Sequence, residues 1–216
     1  MTIPEGLELD TSALDRLEHF AEELRSMNRR INLVSREDED AILRRHIPHC
    51  LALAVRSFSD RSVVVDWGTG GGLPLIPLAI VFPEVSFVGV DAVGKKIQAV
   101  RTFARRLGLD NVDVVHSRAE EVALDARYSV SRATAPLPDL WTWHRRVAVV
   151  PQPTSDKVWA HGLVCLKGGE LDQEIEALRQ LEPDIMIERL PVDSLLNDPY
   201  FVEKEIVSAY TRPEDE

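Results

Sequence analysis

A glycine-rich turn directly follows a run of valines in the first third of the chain. The segment reads VVVDWGTGGGLP, from Val63 to Pro74. Glycine adopts positive φ without strain and leaves no Cβ atom in the way of a ligand. In a parallel sheet, ligands bind beyond the carboxyl ends of the strands, so a strand that ends in such a turn predicts a binding loop.

The spacing of the glycines indicates which ligand the loop would take. The dinucleotide fingerprint needs a small residue at its sixth position, where this sequence has Leu73. The Gly-Lys-Ser/Thr of phosphate-binding loops is missing as well. The pattern Asp-x-Gly-x-Gly-x-Gly, from Asp66 to Gly72, is typical of S-adenosylmethionine enzymes, whose ligand has no pyrophosphate. A purely structural turn is the alternative.

An acidic residue at the end of the next predicted strand supports the ligand interpretation. Asp91 lies 23 residues after Gly68, and a carboxylate at that place in a nucleotide-binding fold accepts hydrogen bonds from ribose hydroxyls. The alternative is a solvated acid at a strand end. Loop, helix and acid follow one another in the order that a cofactor site requires, which favours the first interpretation.

Short β-branched runs alternate with helical segments after residue 61, which predicts βαβ units in a mostly parallel, doubly wound sheet. The predicted strands are 63–66, 86–91, 112–116, 128–131 and 163–166. The predicted helices are 75–81, 95–107, 139–149 and 169–181. Two closing strands, 185–190 and 202–210, would form an antiparallel hairpin. Pro151, Pro153 and Thr154 mark a loop.

The segment before the first strand is predicted to be helical. An amphipathic helix spans 12–28 with Ser12 as its N-cap, and a second helix begins after Ser35. Pro48 interrupts that helix or opens the next one. We therefore predict a helical extension and a Rossmann-like core that together form one compact domain: residues 1–61 and 62–216.

Composition bounds the possible functions. Two cysteines, Cys50 and Cys165, are too few for a disulfide framework, and no apolar segment has the length of a signal peptide or a membrane span. We therefore expect a cytoplasmic protein without membrane association. The net charge of −11 argues against a nucleic-acid partner. However, −9 of it lies in residues 167–216, so the first 166 residues are nearly neutral.

The glycine loop and the segments around it resemble the glucose-inhibited division protein B family, whose members methylate guanine N7 in bacterial 16S ribosomal RNA. The similar segments extend over most of the chain, roughly 12–210, in the family's order. They are NRRINLVS (28–35), DWGTGGGLPLIPLAI (66–80), DAVGKK (91–96), RAEE (118–121), SRA (131–133) and LKGG (166–169), together with His46.

The resemblance implies a class I S-adenosylmethionine-dependent methyltransferase with a seven-stranded sheet, producing S-adenosylhomocysteine. It also implies a monomeric enzyme whose substrate is 16S ribosomal RNA, a 30S subunit or an assembly intermediate, conventionally at guanine 527. The implied cofactor-binding residues are Gly68, Gly70, Gly72, Leu73, Asp91, Ala119, Glu120 and Arg132. Methylation of N7 needs no general base, so no catalytic residue is assigned beyond two positioning candidates, Arg132 and Lys167. For Glu120 an ordinary helix start, and for Arg132 a structural salt bridge, are the alternatives.

One departure from the family pattern concerns the segment after His46. Where the family has His-x-x-Asp-Ser, this chain has His49 and Cys50 in the last two places. The change puts in doubt any role of that carboxylate and hydroxyl in the pocket. A metal site built from these three residues is disfavoured because Pro48 disturbs the helical spacing and no fourth ligand is evident. We expect packing residues and no metal.

Two basic clusters are candidates for RNA contact. One lies on the predicted helix 95–107 with no acid between its members: Lys95, Lys96, Arg101, Arg105 and Arg106. The other lies in the N-terminal helices: Arg25, Arg29, Arg30, Arg36, Arg44 and Arg45. A solvated helix face, balanced in the second case by acids such as those at 37–40, is the alternative. Trp141, Trp143 and His144 could stack bases, although we favour a core position.

The sequence therefore suggests three functions. The leading one is an S-adenosylmethionine-dependent RNA methyltransferase. The second is a non-catalytic cofactor-binding protein of the same fold, motivated by His49 and Cys50. A nicotinamide oxidoreductase is the third, and it is disfavoured by Leu73 and Pro74 and by the lack of a proton donor.

Overall fold

The computed structural model describes residues 1–35, 41–149 and 155–212. Arg36, the acids at 37–40 and the loop residues Pro151, Pro153 and Thr154 lie outside the described residues, as does the predicted start of the second helix. Within the described part, no helix combines the length and the apolarity that crossing a membrane requires.

A seven-stranded mixed sheet forms the centre of the protein, in the order β3-β2-β1-β4-β5-β7-β6. The first five strands are parallel to one another, and β7 is antiparallel to both β5 and β6. The strands are β1 (Val63–Trp67), β2 (Ser86–Asp91), β3 (Val112–His116), β4 (Tyr128–Arg132), β5 (Gly162–Gly168), β6 (Met186–Pro191) and β7 (Lys204–Tyr210). This is the predicted α/β fold, and the predicted strands agree with it to within two residues at each end.

Helices cover both faces of the sheet because parallel strands need crossover connections. They are α1 (Thr11–Asn28), α2 (Ile47–Leu51), α3 (Leu75–Val81), α4 (Gly94–Leu107), α5 (Leu137–Val147), α6 (Asp172–Leu181) and α7 (Val192–Leu196). Helix α1 packs on α3 and α4, where Phe20 meets Phe103 edge to face at a ring distance of 5.6 Å. The N-terminal helices therefore share a hydrophobic core with the sheet.

The segment before β1 remains helical through Pro48 rather than breaking there. Ile42–His46 is a π-helical turn, α2 follows directly, and Ala52–Val55 is a 3₁₀ turn. Pro48 lies in the first turn of α2, where its missing N–H costs little. The π-helical turn brings His46 and Arg45 to the end of the sheet, and such turns are frequent at functional sites.

The two closing strands are antiparallel, as predicted, but they do not form a tight hairpin. Helix α7 and a 3₁₀ turn, Pro199–Phe201, are inserted between β6 and β7. Phe201 and Leu196 of this insert are buried in the main core. The insert is therefore a packed element, and it places Tyr200 at the edge of the sheet that carries the glycine loop.

The N-cap of α1 lies two residues earlier than predicted. Asp10 is the cap: its side chain accepts a hydrogen bond of 2.7 Å from the Ala13 amide. Ser12, the predicted cap, lies inside the first turn and is exposed. An acid at this position also stabilises the positive end of the helix dipole, which a serine does not.

We expect Asp10→Ala to lower the free energy of unfolding by about 1 kcal/mol, because the Ala13 amide loses its acceptor. Ser12→Ala is the matched control and should change it by no more than about 0.3 kcal/mol, since an exposed position in the first turn makes no cap bond. Urea unfolding followed by circular dichroism measures both values. A larger loss for the serine variant would contradict the assignment of the cap.

Candidate functional site

The glycine loop turns sharply after β1 and uses positive φ three times. Gly68, Gly70 and Gly72 have φ of +68°, +57° and +83°. A Cβ atom on Gly68 would lie 2.4 Å from the Thr134 side chain, so any other residue would collide with the loop after β4. A Cβ on Gly70 would meet nothing closer than 3.7 Å, which leaves the middle of the loop open to a ligand.

Asp91 ties the glycine loop to the end of β2. One carboxylate oxygen accepts from the Gly70 amide at 3.0 Å, and the other accepts from the Val93 amide at 2.8 Å. Because a carboxylate offers about four acceptor positions, each oxygen keeps one for a hydroxyl group. Asp91 is therefore both a structural residue of the loop and a candidate for ribose binding.

The Leu73 side chain packs in the main hydrophobic core. Its side chain is buried, and its N–H donates to the Thr69 carbonyl oxygen at 3.2 Å. Its role in cofactor binding stays a prediction.

Asp66, at the start of the loop, is fully buried beneath it. Its carboxylate oxygens make no hydrogen bond of normal geometry among the described residues, and burial raises the pKa of Asp66 to about 7. The Thr69 hydroxyl, the Leu75 amide and the Arg132 guanidinium lower that pKa without offsetting burial, and Asp91 raises it further. The group therefore changes charge near neutral pH inside the protein.

The two residues predicted to lie near the adenine follow β3. Ala119 and Glu120 belong to a 3₁₀ turn, Ala119–Glu121, at the same edge of the sheet as Asp91. Ala119 is half-buried and Glu120 is exposed. Their position leaves the Glu120 carboxylate accessible to a ligand beyond β2 and β3.

Arg132 lies at the end of β4, next to the glycine loop across the switch point between β1 and β4. Its Nη1 atom is 2.9 Å from Nδ1 of His46, a residue 86 positions earlier in the chain. Since a guanidinium can only donate, His46 Nδ1 is the acceptor and carries no proton. The alternative of a structural salt bridge is not met among the described residues, because an imidazole and not a carboxylate holds Arg132.

A cavity of about 340 Å³ opens beside Arg132, beyond the ends of β4 and β5. It is lined by Arg45, His46, His49, Arg132, Ala133, Leu166, Lys167, Gly168, Tyr200 and Lys204. None of these lining residues is acidic. Lys204 begins the antiparallel strand β7 and pairs with Gly168, which places its side chain at the carboxyl end of the parallel strands.

Sequence reasoning did not assign His49, Tyr200 or Lys204 to a site, although each lines the cavity. The antiparallel direction predicted for the last strand was a usable signal for Lys204, because it puts the start of that strand at the binding edge. No sequence pattern marked Tyr200.

Cys50 is a buried packing residue in this structure, whereas His49 packs against Phe201 and also lines the cavity. Burial lowers the pKa of His49 to about 3, and electrostatic interactions with Arg132, Lys204 and His46 lower it as well. Burial likewise raises the pKa of Cys50 to about 12, so the thiol stays protonated. Across residues 1–35, 41–149 and 155–212, no group of three or more His, Cys, Asp or Glu side chains is arranged to hold a metal ion.

Lys167, the second positioning candidate, is held in an ion pair. Its Nζ atom is 2.7 Å from a Glu174 oxygen and donates to the Ala135 carbonyl oxygen at 3.0 Å. The same Glu174 oxygen accepts from the Leu137 amide at 2.8 Å. Lys167 and Glu174 therefore fix the loop that follows Arg132.

The basic residues of α4 lie in two groups, one at its start and one in its second half. Lys95 and Lys96 lie in the first turn of α4, four and five residues after Asp91 and near the binding edge. Arg105 lies ten residues further on, about 15 Å away at about 1.5 Å per residue. Arg106 pairs with Glu23 of α1, so an acid from another helix balances the end of the cluster. Arg101 and Arg105 are exposed, and RNA contact by this face stays a prediction.

The remaining candidates for RNA contact are two exposed arginines after α1 and two packed tryptophans of α5. Arg29 and Arg30 are exposed directly after α1, whose residue Leu24 approaches the glycine loop at Gly71. Trp141 is buried against His144, as expected for a core position. Trp143 packs on Trp67 at a ring distance of 6.1 Å.

Comparison with known proteins places this geometry in context. Residues 13–182 match the model of a family described as rRNA small subunit methyltransferase G. A protein of Salinibacter ruber named ribosomal RNA small subunit methyltransferase G is 54% identical over 195 residues, covering 90% of this chain and 91% of its own. One of the same name from Chlorobaculum tepidum is 40% identical over 213 residues, with 94% and 92% covered.

Solved structures agree in fold. A magnesium protoporphyrin IX methyltransferase from Synechocystis PCC 6803, determined with bound SAM, superposes with a TM-score of 0.59. The two chains are 12% identical, and the match covers 95% of this chain and 99% of the other. A ribosomal protein L11 methylase from Lactobacillus delbrueckii gives 0.54 at 15% identity, with 78% and 79% covered. These similarities show the class I methyltransferase fold.

We expect Asp66→Asn to change how stability depends on pH. The native state penalises the charged Asp66, so the wild-type protein loses stability as pH rises from about 4, the ordinary pKa of the carboxyl group, to about 7. The variant lacks this loss. The difference in free energy of unfolding, variant minus wild type, should therefore increase by at most about 4 kcal/mol across that pH range. Above it the difference should stay constant.

Urea unfolding of both proteins at several pH values between 4 and 8.5 measures the difference. A difference that is constant over this range would mean that Asp66 has an ordinary pKa in the native protein.

Proposed function

Because the chain belongs to the rRNA small subunit methyltransferase G family, we propose that it transfers a methyl group from S-adenosylmethionine to N7 of a guanine in 16S ribosomal RNA. The family relationship indicates guanine 527 as the target. We further propose that the enzyme acts as a monomer on a 30S particle or an assembly intermediate. A ribosomal RNA substrate would place this activity in the cytoplasm. The oxidoreductase alternative loses its basis with this family membership.

One observation carries the proposal: an open glycine loop and a cation-lined cavity lie side by side at the switch point of the sheet. The loop residues fit S-adenosylmethionine. Gly70 leaves the backbone open, and the Asp91 carboxylate keeps acceptor positions for ribose hydroxyls. When bound, this cofactor supplies a methyl group on a sulfonium that is its own leaving group.

The side chains around the cavity have the work of binding and orienting the RNA. N7 of guanine carries a lone pair and no proton, so no general base is required. His49 is neutral at physiological pH and makes no hydrogen bond at its buried Nε2 atom among the described residues. Arg132 is the candidate for holding a phosphate or the cofactor carboxylate, since its Nε atom is also buried without a partner in the described part.

Mass spectrometry of 16S ribosomal RNA from cells lacking the gene tests the reaction and the substrate together. We expect one N7-methylguanosine to disappear and to return when the wild-type gene is supplied. A normal modification pattern in the deletion strain would overturn the proposed function. If the purified protein binds the cofactor but methylates no nucleotide, the non-catalytic alternative would be favoured.

We expect Arg132→Ala to lower kcat/KM for methyl transfer by about 10- to 100-fold, the size of one or two lost charge-assisted hydrogen bonds. Methyl incorporation into 30S particles measures this effect. Arg179→Ala, which removes an exposed charge from the last turn of α6, is the matched control and should leave the rate within about twofold. Equal rates for both variants would remove Arg132 from the site.

A further inference from the structure

Tyr200 is an exposed aromatic ring at the rim of the basic cavity. Within the described residues, five large hydrophobic side chains are exposed, and Tyr200, at 44%, is the aromatic one. Val202, at 61%, lies two residues away. Both belong to the insert between β6 and β7, so this insert presents an apolar surface next to a cavity lined by cations. Exposed apolar groups in such a setting mark a binding surface.

The Tyr200 ring is fixed from several sides. The Arg45 guanidinium lies over it at 4.1 Å, and the Phe201 ring meets it edge to face at 4.9 Å. Phe201 is buried and packs against His49, and the Tyr200 amide donates to the Asp198 side chain at 2.9 Å. An aromatic ring with only two side-chain torsions, held in this way, loses little entropy when a ligand stacks on it.

The charges beside the ring favour a polyanion. Arg45, Arg132 and Lys204 line the cavity, and within the described ranges no carboxylate lies at salt-bridge distance from Arg132 or Lys204. A flat aromatic ring with a stacked guanidinium beside an acid-free basic cavity matches the two parts of a nucleotide, which are a base with π faces and a phosphate. Among the described residues, the exposed large apolar side chains at this rim are Tyr200 and Val202, a small area for a partner protein.

We propose that Tyr200 and Arg45 form a stacking platform for one unpaired base of the RNA substrate, while the cavity takes the phosphate of that nucleotide. This inference rests on the proposed function, because it specifies how the same site holds its RNA. The base stacks on the solvent-facing side of the platform. The contact is independent of base identity, so it positions the strand and leaves the choice of guanine to the region around Arg132.

Methyl-transfer kinetics with 30S particles test the platform. Tyr200→Ala should raise KM for the particle by about 5- to 150-fold, the range for loss of one base stack, with kcat within about threefold of wild type. Tyr200→Phe should keep wild-type values, because the ring and not the hydroxyl is used. Leu181→Ala, which removes a comparably exposed apolar side chain at the end of α6, is the matched control and should have no effect.

Direct binding separates stacking from a structural effect. Guanosine 5′-monophosphate should bind Tyr200→Ala more weakly than wild type, whereas ribose 5-phosphate, which has no base, should bind both equally. Tyr200→Trp should report stacking as fluorescence quenching by guanosine 5′-monophosphate, measured as the difference from Tyr200→Phe. Unfolding curves of every variant establish that the insert remains folded.

Three results would each overturn the platform. They are an unchanged KM for Tyr200→Ala, equal increases in KM for Tyr200→Ala and Tyr200→Phe, and weaker binding of ribose 5-phosphate by Tyr200→Ala. If wild-type protein methylates no ribosomal particle, the proposed function fails, but the two nucleotide-binding measurements still test the platform. A kcat effect without a KM effect would also contradict it, because stacking of a neighbouring base contributes to binding.

Discussion

The Asp91 carboxylate is the contact on which the geometry of the site depends. Its two oxygens hold the Gly70 and Val93 amides, and so join the loop after β1 to the turn that begins α4. On the other side of β1, Thr134 donates to the Trp67 carbonyl oxygen at 3.0 Å and fills the space where Gly68 lacks a Cβ atom. The ends of three neighbouring strands are thereby fixed together, and every candidate for cofactor binding is placed relative to them.

Local patterns were sufficient for the sheet because its strands are short β-branched runs between helices with an apolar face. β2 and β3 were predicted with the observed bounds, and the direction of the last strand was correct. The N-cap of α1 was predicted wrongly because Ser12 and Asp10 are both good caps, and only the backbone conformation of Asp10, which is extended, decides between them.

The candidate site was predictable only in its local part. The glycine loop and Asp91 lie within one βαβ unit, so sequence spacing alone relates them. The cavity, in contrast, joins His46, Arg132 and Tyr200 from distant parts of the chain. Such contacts follow from packing of the N-terminal helices and the insert on the core, which no periodicity encodes. Lys167 and Lys204 also line this cavity, so the segment after residue 166, although acidic in net charge, contributes two cations to it.

The cavity wall has a further consequence for the synthesis of the protein. Its residues come from the first 50 positions, from the middle of the chain, and from the β6–β7 insert and the start of β7. A nascent chain folds from its N-terminus as it emerges, so the helices and the parallel strands precede β7. The cavity wall is complete only when β7, which carries Lys204, has paired with β5. The wall of the cavity is therefore completed later in synthesis than the glycine loop.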